Sequence, residues 1–153
     1  MQAMSESERW KAPTIVPILA YEDVVAAIEW LTRVFGFEER SEARLSWEGG
    51  VRAWMEIGEG LIVLSDSGGH DRHSPKLGGN VHMALKVYVD DVDGHFRRAK
   101  AAGAVILSEP EDGFWGGRVY RAQDLEGHQW EFSQANRDLP ATAWKLPPGM
   151  RRG

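Results

Sequence analysis

A chain of 153 residues with 42% hydrophobic and 27% charged residues has the composition of one globular domain that can bury a core. The formal net charge of −5 argues against a nucleic-acid partner, whose phosphates need a basic surface, and the absence of cysteine excludes disulfides, thiolate catalysis and cysteine metal sites. No apolar run approaches the roughly 18 residues of a membrane span, and residues 1–11 lack the apolar segment of a signal peptide, so we expect a cytoplasmic protein without a membrane partner.

The first half of the chain predicts a strand, a helix and three further strands. Residues 1–13 are mostly polar and are expected to form a flexible arm. A strand over 14–21 precedes a helix over 24–35, in which apolar residues recur at helical spacing and Asp23 is placed to cap the first turn. Three strands are predicted to follow, over residues 37–47, 51–57 and 61–66, with a glycine pair at the turn between the first two.

The second half predicts the same elements in the same order. A polar, glycine-rich linker over 67–80 leads to a strand over 81–89 and a helix over 92–102. Three strands are again predicted to follow, over residues 104–108, 118–122 and 129–133. The last residues, 135–153, contain three prolines and are expected to form an extended, partly disordered C-terminal extension that Trp144 can anchor.

Glycine and glutamate residues recur along the chain at one offset. Five positions repeat 67 residues later: Gly36, Gly49, Gly50, Glu59 and Gly60 recur as Gly103, Gly116, Gly117, Glu126 and Gly127. A repeat of this length is longer than a solenoid unit and instead predicts one domain, over residues 14–134, made of two copies of one module. The first module covers residues 14–66 and the second residues 81–134, and the cleft between such copies is a natural ligand site.

The sequence DLEGH at 124–128, followed by WEF at 130–132 and preceded by YVDDV at 88–92, resembles the vicinal oxygen chelate superfamily. This group contains glyoxalases, bleomycin-resistance proteins and extradiol dioxygenases, and the chain is most similar to its PhnB-like branch. The resemblance implies an α+β fold of two βαβββ modules whose sheets curl around a central cleft. It also implies a small-molecule ligand and a homodimer.

Metal-dependent members of this superfamily hold a divalent ion with up to four side chains, and the resemblance assigns Glu131 to one ligand position. Counting along the chain assigns the other three to Val16, Leu64 and Ala84, none of which can bind a metal. His82 lies two residues before Ala84 and therefore on the same face of the predicted strand. We expect no metal and no cofactor; if the protein is a metal-dependent enzyme, His82 and Glu131 are the candidate ligands of a divalent ion.

Aromatic and charged residues are predicted to line the cleft. Glu131 is flanked by Trp130 and Phe132, so alternation directs Glu131 to the cleft if the aromatic rings pack under the helices. A glycine-bounded aromatic loop before the seventh predicted strand indicates a mobile lid or a close backbone approach. The predicted ligand-binding residues are Glu131, Trp115, Trp54, Arg121 and Phe114.

The sequence leaves three functions open. A metal-free protein that binds a planar or cationic small molecule is favoured, because the expected metal ligands are missing. A metal-dependent lyase or dioxygenase is the alternative. In a third hypothesis Glu131 acts as a general base, with a pKa raised by an apolar cleft. The identity of the ligand, and whether the protein is an enzyme, stay open.

Overall fold

The computed structural model describes residues 12–66, 72–135 and 139–153. Most of the predicted N-terminal arm and the first part of the predicted linker lie outside these ranges. Within them, no helix is long and apolar enough to cross a membrane.

The first module folds as a strand, a helix and a set of further strands, as predicted. The helix α1 continues into one π-helical turn and ends at Gly36, whose φ of 83° favours glycine. Asp23 caps α1 by accepting a bond from the backbone N–H of Ala26. The elements are β1 (Ile18–Ala20), α1 (Val24–Trp30) with its π-helical turn (Leu31–Phe35), β2 (Glu38–Glu39), a 3-10 turn (Ser41–Ala43), β3 (Leu45–Trp47), β4 (Gly50–Ile57) and β5 (Gly60–Ser65).

The predicted strand over 37–47 is instead two short strands separated by the 3-10 turn. Both β2 and β3 pair with β4. The intervening sequence, from Glu38 to Arg44, is almost entirely polar, so it has no apolar face to bury and gains little from forming one continuous strand. Arg44 instead pairs with Glu39 across the turn, at 2.6 Å.

The second module repeats the first. Its helix is capped by Asp91, which accepts a bond from the backbone N–H of Gly94. The elements are α2 (Pro75–Gly78) in the linker, β6 (Ala84–Tyr88), α3 (Val92–Ala101), β7 (Val105–Asp112), β8 (Arg118–Gln123) and β9 (Gln129–Gln134).

The C-terminal extension makes contacts within itself. A 3-10 turn covers Ala141–Ala143, and the Arg152 guanidinium donates to the carbonyls of Ala141, Thr142 and Trp144. These bonds bring the last residues of the extension back to its 3-10 turn.

The two sheets have the same strand order and directions. Sheet A has the strand order β1-β5-β4-β2, with β3 also on β4, and sheet B has the order β6-β9-β8-β7. In each, the first strand runs parallel to the last, and the remaining pairs are antiparallel. The predicted α+β fold of two βαβββ modules is confirmed.

The faces of the two sheets that carry the helices meet in one hydrophobic core. Phe35, at the end of α1, lies 4.7 Å from Phe132 and 5.7 Å from Trp130 between ring centroids, so the first module packs directly on sheet B. Full burial of such side chains contributes roughly 1.5–3 kcal/mol each. Because both helix-bearing faces are turned inward, the opposite face of each sheet, here called its outer face, points away from this core.

Two buried carboxylates of the second module bind the first module. Asp124 accepts the Tyr21 hydroxyl at 2.6 Å and the Trp130 indole N–H at 3.1 Å. Glu126 accepts the backbone N–H groups of Glu22 and Asp23, at 2.7 and 3.0 Å, where α1 begins. A carboxylate at a helix N-terminus satisfies its unpaired N–H groups and opposes the helix dipole, so the DLEGH sequence connects the modules.

Glu126 also fixes the linker. The Ser74 hydroxyl donates to its Oε1 at 2.5 Å, and Ser74 in turn caps α2 by accepting from the Lys76 N–H. The same carboxylate therefore positions both α1 and the segment that joins the modules.

His95 on α3 is a further contact between the modules. Its Nε2 lies 2.8 Å from the Phe35 carbonyl, which can only accept, so this nitrogen carries the proton. Its Nδ1 then accepts from the Tyr120 hydroxyl at 2.5 Å. Burial lowers the pKa of His95, aided by the positive charge of Arg98 and opposed by the bond to the Phe35 carbonyl.

Removal of the Tyr21 hydroxyl tests the buried carboxylate contacts. We expect Tyr21→Phe to lower the free energy of unfolding by about 1–3 kcal/mol, because Asp124 loses a donor in a buried site. Urea denaturation measures the change. Tyr88→Phe is the matched control, since Tyr88 is exposed, and it should change stability by less than about 0.5 kcal/mol. Equal losses in the two variants would contradict the role given to the Tyr21 hydroxyl.

The histidine contact predicts a pH dependence. The unfolded chain takes up a proton at His95 below about pH 6.5, whereas folded His95 stays neutral to lower pH. Its stabilising contribution is thus complete above that pH and is lost as pH falls towards the lowered folded pKa. In His95→Gln, the unfolding free energy should decrease less between pH 7 and pH 5 than in the wild type. An unchanged pH slope, measured by urea denaturation, would show that His95 does not carry this effect.

Candidate functional site

Three charged side chains form one row across the outer face of sheet B. Lys86 on β6 pairs in register with Glu131 on β9, and Glu131 pairs with Arg121 on β8. Their neighbours Trp130 and Phe132 lie in the core, so alternation places Glu131 on the outer face; that this face lines a ligand cleft stays a prediction. We call Lys86, Glu131 and Arg121 the charged row.

Both carboxylate oxygens of Glu131 have a cationic partner. Arg121 Nε donates to Oε1 at 2.6 Å, and Lys86 Nζ lies 3.4 Å from Oε2. Arg121 also reaches Ser108 Oγ at 3.4 Å and Glu111 Oε1 at 3.6 Å on β7. Two of the predicted ligand-binding residues, Arg121 and Glu131, are therefore partners of each other.

The row lowers the pKa of Glu131. Partial burial acts to raise it, but the hydrogen bond and positive charge of Arg121, together with Lys86, outweigh burial and hold the pKa below its ordinary value. The hypothesis that an apolar cleft raises the pKa of Glu131 is therefore wrong. A carboxylate that is ionised and doubly paired is a weak base at neutral pH.

The aromatic loop, residues 113–117, lies beside the charged row. Lys86 Nζ is 5.5 Å from the ring centroid of Trp115 and 5.7 Å from that of Tyr88, within the range of cation–π contacts. The Trp115 indole folds back over its own loop: a Cβ on Gly113 or Gly117 would lie 2.1 or 2.4 Å from it. These glycines therefore permit the ring position that brings Trp115 to Lys86.

Phe114 is placed differently from Trp115. Its ring lies 5.3 Å from Trp115 and 6.0 Å from Trp144 of the C-terminal extension. Phe114 thus connects the loop to the extension, as expected for an anchor at Trp144, and supports Trp115 from outside the row.

Trp54 lies on the outer face of the other sheet. It pairs with Val63 on β5, which pairs with Ile18 on β1; we call these three residues the apolar row. The Arg52 guanidinium lies 5.6 Å from the Trp54 ring. Among the described strands, none of sheet A pairs with one of sheet B, and the charged row does not include Trp54.

The apolar row corrects the count that placed Leu64 opposite Glu131 in the repeat. Leu64 is fully buried in the core, and Val63 occupies the equivalent position on the outer face. Val63 is the third residue after Gly60, whereas Glu131 is the fourth residue after Gly127. One added residue moves every following side chain of a strand to the other face, so a fixed offset fails here.

The charged row does not suit a divalent metal ion. In residues 12–66, 72–135 and 139–153, no three His, Asp or Glu side chains are grouped to hold one. His82 lies two residues before the start of β6, and the register of that strand pairs Lys86, not His82, with Glu131. A metal ion at Glu131 would also have to displace Arg121, and the positive charge of Lys86 would repel it.

Lys86 and Tyr88 were not among the residues that the sequence predicted for the site. A signal was present, because Lys86 is a single charge within the otherwise apolar sequence MALKVYV at 83–89. A charge in such a strand indicates that one of its faces is not packed in the core.

The chain belongs to the Glyoxalase/Bleomycin resistance protein/Dioxygenase superfamily, whose family model matches residues 14–132. An uncharacterized protein of Mycobacterium bovis is 30% identical over 134 residues, which cover 83% of this chain and 86% of that protein. The match is to the superfamily as a whole, and placement in the PhnB-like branch stays a prediction.

Solved structures are similar in fold. TioX from Micromonospora sp. ML1 is 38% identical, with a TM-score of 0.63 over 80% of this chain and 96% of that chain. A glyoxalase/bleomycin resistance protein/dioxygenase family enzyme from Burkholderia phytofirmans PsJN is 19% identical, with a TM-score of 0.61 over 77% of this chain and 94% of that chain. The Burkholderia protein is similar in fold, and its 19% identity is too low to support a statement about function.

Removal of the Arg121 charge tests the electrostatics of the row. In Arg121→Met the pKa of Glu131 should rise, because burial still acts on the carboxylate while its strongest partner is lost. Carboxyl NMR titration measures this directly. Arg118→Met is the matched control, since Arg118 is on the same strand but pairs with Asp93 and Asp112. A Glu131 pKa that shifts equally in both variants would refute the assigned pairing.

Proposed function

We propose that this protein binds a planar aromatic small molecule on the outer face of sheet B, without a metal ion. The observation that carries the proposal is the position of Trp115, whose ring lies beside Lys86 and thus beside the charged row. An aromatic surface next to fixed charges provides stacking area together with groups that orient a ligand. Membership of a superfamily that binds small molecules supports the same conclusion.

A cationic ligand is less well supported than a planar one. Glu131 is the one acidic side chain among the predicted ligand-binding residues, so a cationic ligand would depend on it. Both of its oxygens now have positive partners, Arg121 and Lys86, so a cationic ligand would have to compete with two side chains already in place.

The described residues do not support either enzyme hypothesis. The metal-dependent lyase or dioxygenase needs His82 beside Glu131, and the strand register separates them. General base catalysis needs a raised pKa at Glu131, and its pKa is lowered.

The homodimer stays a prediction. Apolar side chains on the outer face of sheet B are exposed, with Tyr88 at 63% and Val105 at 55% of their full accessibility. A second copy placed over this face would cover them and would enclose the charged row.

Truncation of Trp115 tests the ligand surface. Planar aromatic compounds should quench tryptophan fluorescence saturably, and Trp115→Ala should weaken their binding several-fold, since stacking contributes roughly 0.5–1.5 kcal/mol beyond burial. The melting temperature should change little, because Trp115 lies in a loop outside the core.

Trp47→Ala is the control for this experiment. Trp47 is exposed on β3 of the other sheet, so its loss should remove fluorescence without changing affinity. A large fall in melting temperature in Trp115→Ala, or equal loss of affinity in both variants, would refute the proposed surface.

A further inference from the structure

We infer that the ligand of this surface is an aromatic acid, whose carboxylate is bound by Lys86 while its ring lies against Trp115. The inference rests on the proposed function and adds the charge of the ligand. It depends on the charge balance of the row, the contacts of the ammonium group and an unpartnered hydroxyl nearby.

The charged row has one more positive than negative side chain. Lys86 and Arg121 are the cations and Glu131 is the anion. Glu111 lies 3.6 Å from Arg121, but its side chain is 66% exposed, so water and salt screen its charge. The surface beside Trp115 therefore favours an anion.

Lys86 is the cation with capacity for a further bond. Arg121 binds Glu131 at 2.6 Å, whereas Lys86 lies 3.4 Å from the same carboxylate, at the long limit of a hydrogen bond. An ammonium group has three donors. Arg121 can hold Glu131 in place while one N–H of Lys86 donates to a ligand oxygen. The Lys86 side chain is 39% exposed, so a ligand can reach it.

The rings beside Lys86 determine the ligand's shape. Trp115 and Tyr88 lie 5.5 and 5.7 Å from the ammonium group. A planar ring stacked on either one brings its substituent to Lys86. The apolar surroundings also strengthen an ion pair there relative to bulk water.

Ser133 provides an independent indication of a polar ligand. It lies on β9, on the same face as Glu131, and pairs in register with Tyr88. Its side chain is fully buried, and its hydroxyl has no hydrogen-bond partner within the described part of the chain. Buried polar groups are normally bonded, so an unpartnered hydroxyl two residues from Glu131 on the same face is available to a polar ligand group that reaches it.

A matched series of naphthalene compounds tests the inference: 2-naphthoate, 2-naphthamide and 2-naphthylmethylammonium, which differ mainly in charge. Affinities are measured by calorimetry with the full chain at pH 7.5 and low salt. We expect the carboxylate to bind about tenfold more tightly than the amide, because a charge-assisted bond is about twice as strong as a neutral one, and the ammonium compound to bind most weakly. Added salt should reduce the difference.

Lys86→Met identifies the group responsible. Methionine keeps the apolar stem and removes the charge, so the preference for the carboxylate should disappear while affinity for the amide stays within about twofold. Lys100→Met is the control, since Lys100 is an exposed lysine on α3 that pairs with Glu109, and it should keep the preference. If Lys86→Met does not fold, the series and its salt dependence in the wild type decide the question.

The outcomes separate this inference from the proposed function. Binding of the amide as tightly as the carboxylate, or a preference for the ammonium compound, overturns the inference and leaves the aromatic surface intact. A carboxylate preference that survives in Lys86→Met also overturns it. Failure of all three compounds to bind at millimolar concentration overturns the proposed function as well.

Discussion

Asp124 and Glu126 are buried carboxylates whose hydrogen-bond donors come from both modules. A buried charge costs several kcal/mol unless its bonds are in place, so these contacts require α1 to begin at one position relative to sheet B. That position carries Phe35 onto Trp130, and the two modules then share one core. The packing of the modules is thus specified by polar groups and stabilised by apolar ones.

The site follows from this packing through strand alternation. Once Trp130 is in the core, Glu131 must lie on the outer face, and the register of β6 and β8 brings Lys86 and Arg121 to it. The core and the charged row are therefore two sides of the same strands. A change in register would disturb both at once, which couples the stability of the fold to the geometry of the surface.

Much of the fold could be predicted because its signals are local: Asp23 precedes a helical apolar pattern and caps that helix as expected. The site depends on register, which local signals do not specify, so the count from the repeat selected Leu64 where the fold uses Val63. Lys86 was not predicted because its place beside Glu131 depends on the register of β6 and β9. Arg121 was among the predicted site residues, but its pairing with Glu131 depends on the register of β8 and β9.

The apolar row and the charged row occupy equivalent positions in the two sheets. Two copies of one module start with the same face. Here the row on sheet A carries no charge, whereas the row on sheet B carries three charges. Any arrangement that sets the two kinds of face against each other, within one chain or between two, encloses a space with an uncharged row on one side and an ionic row on the other. Such a space would be polarised, and the aromatic acid inferred above would fit it in a single orientation.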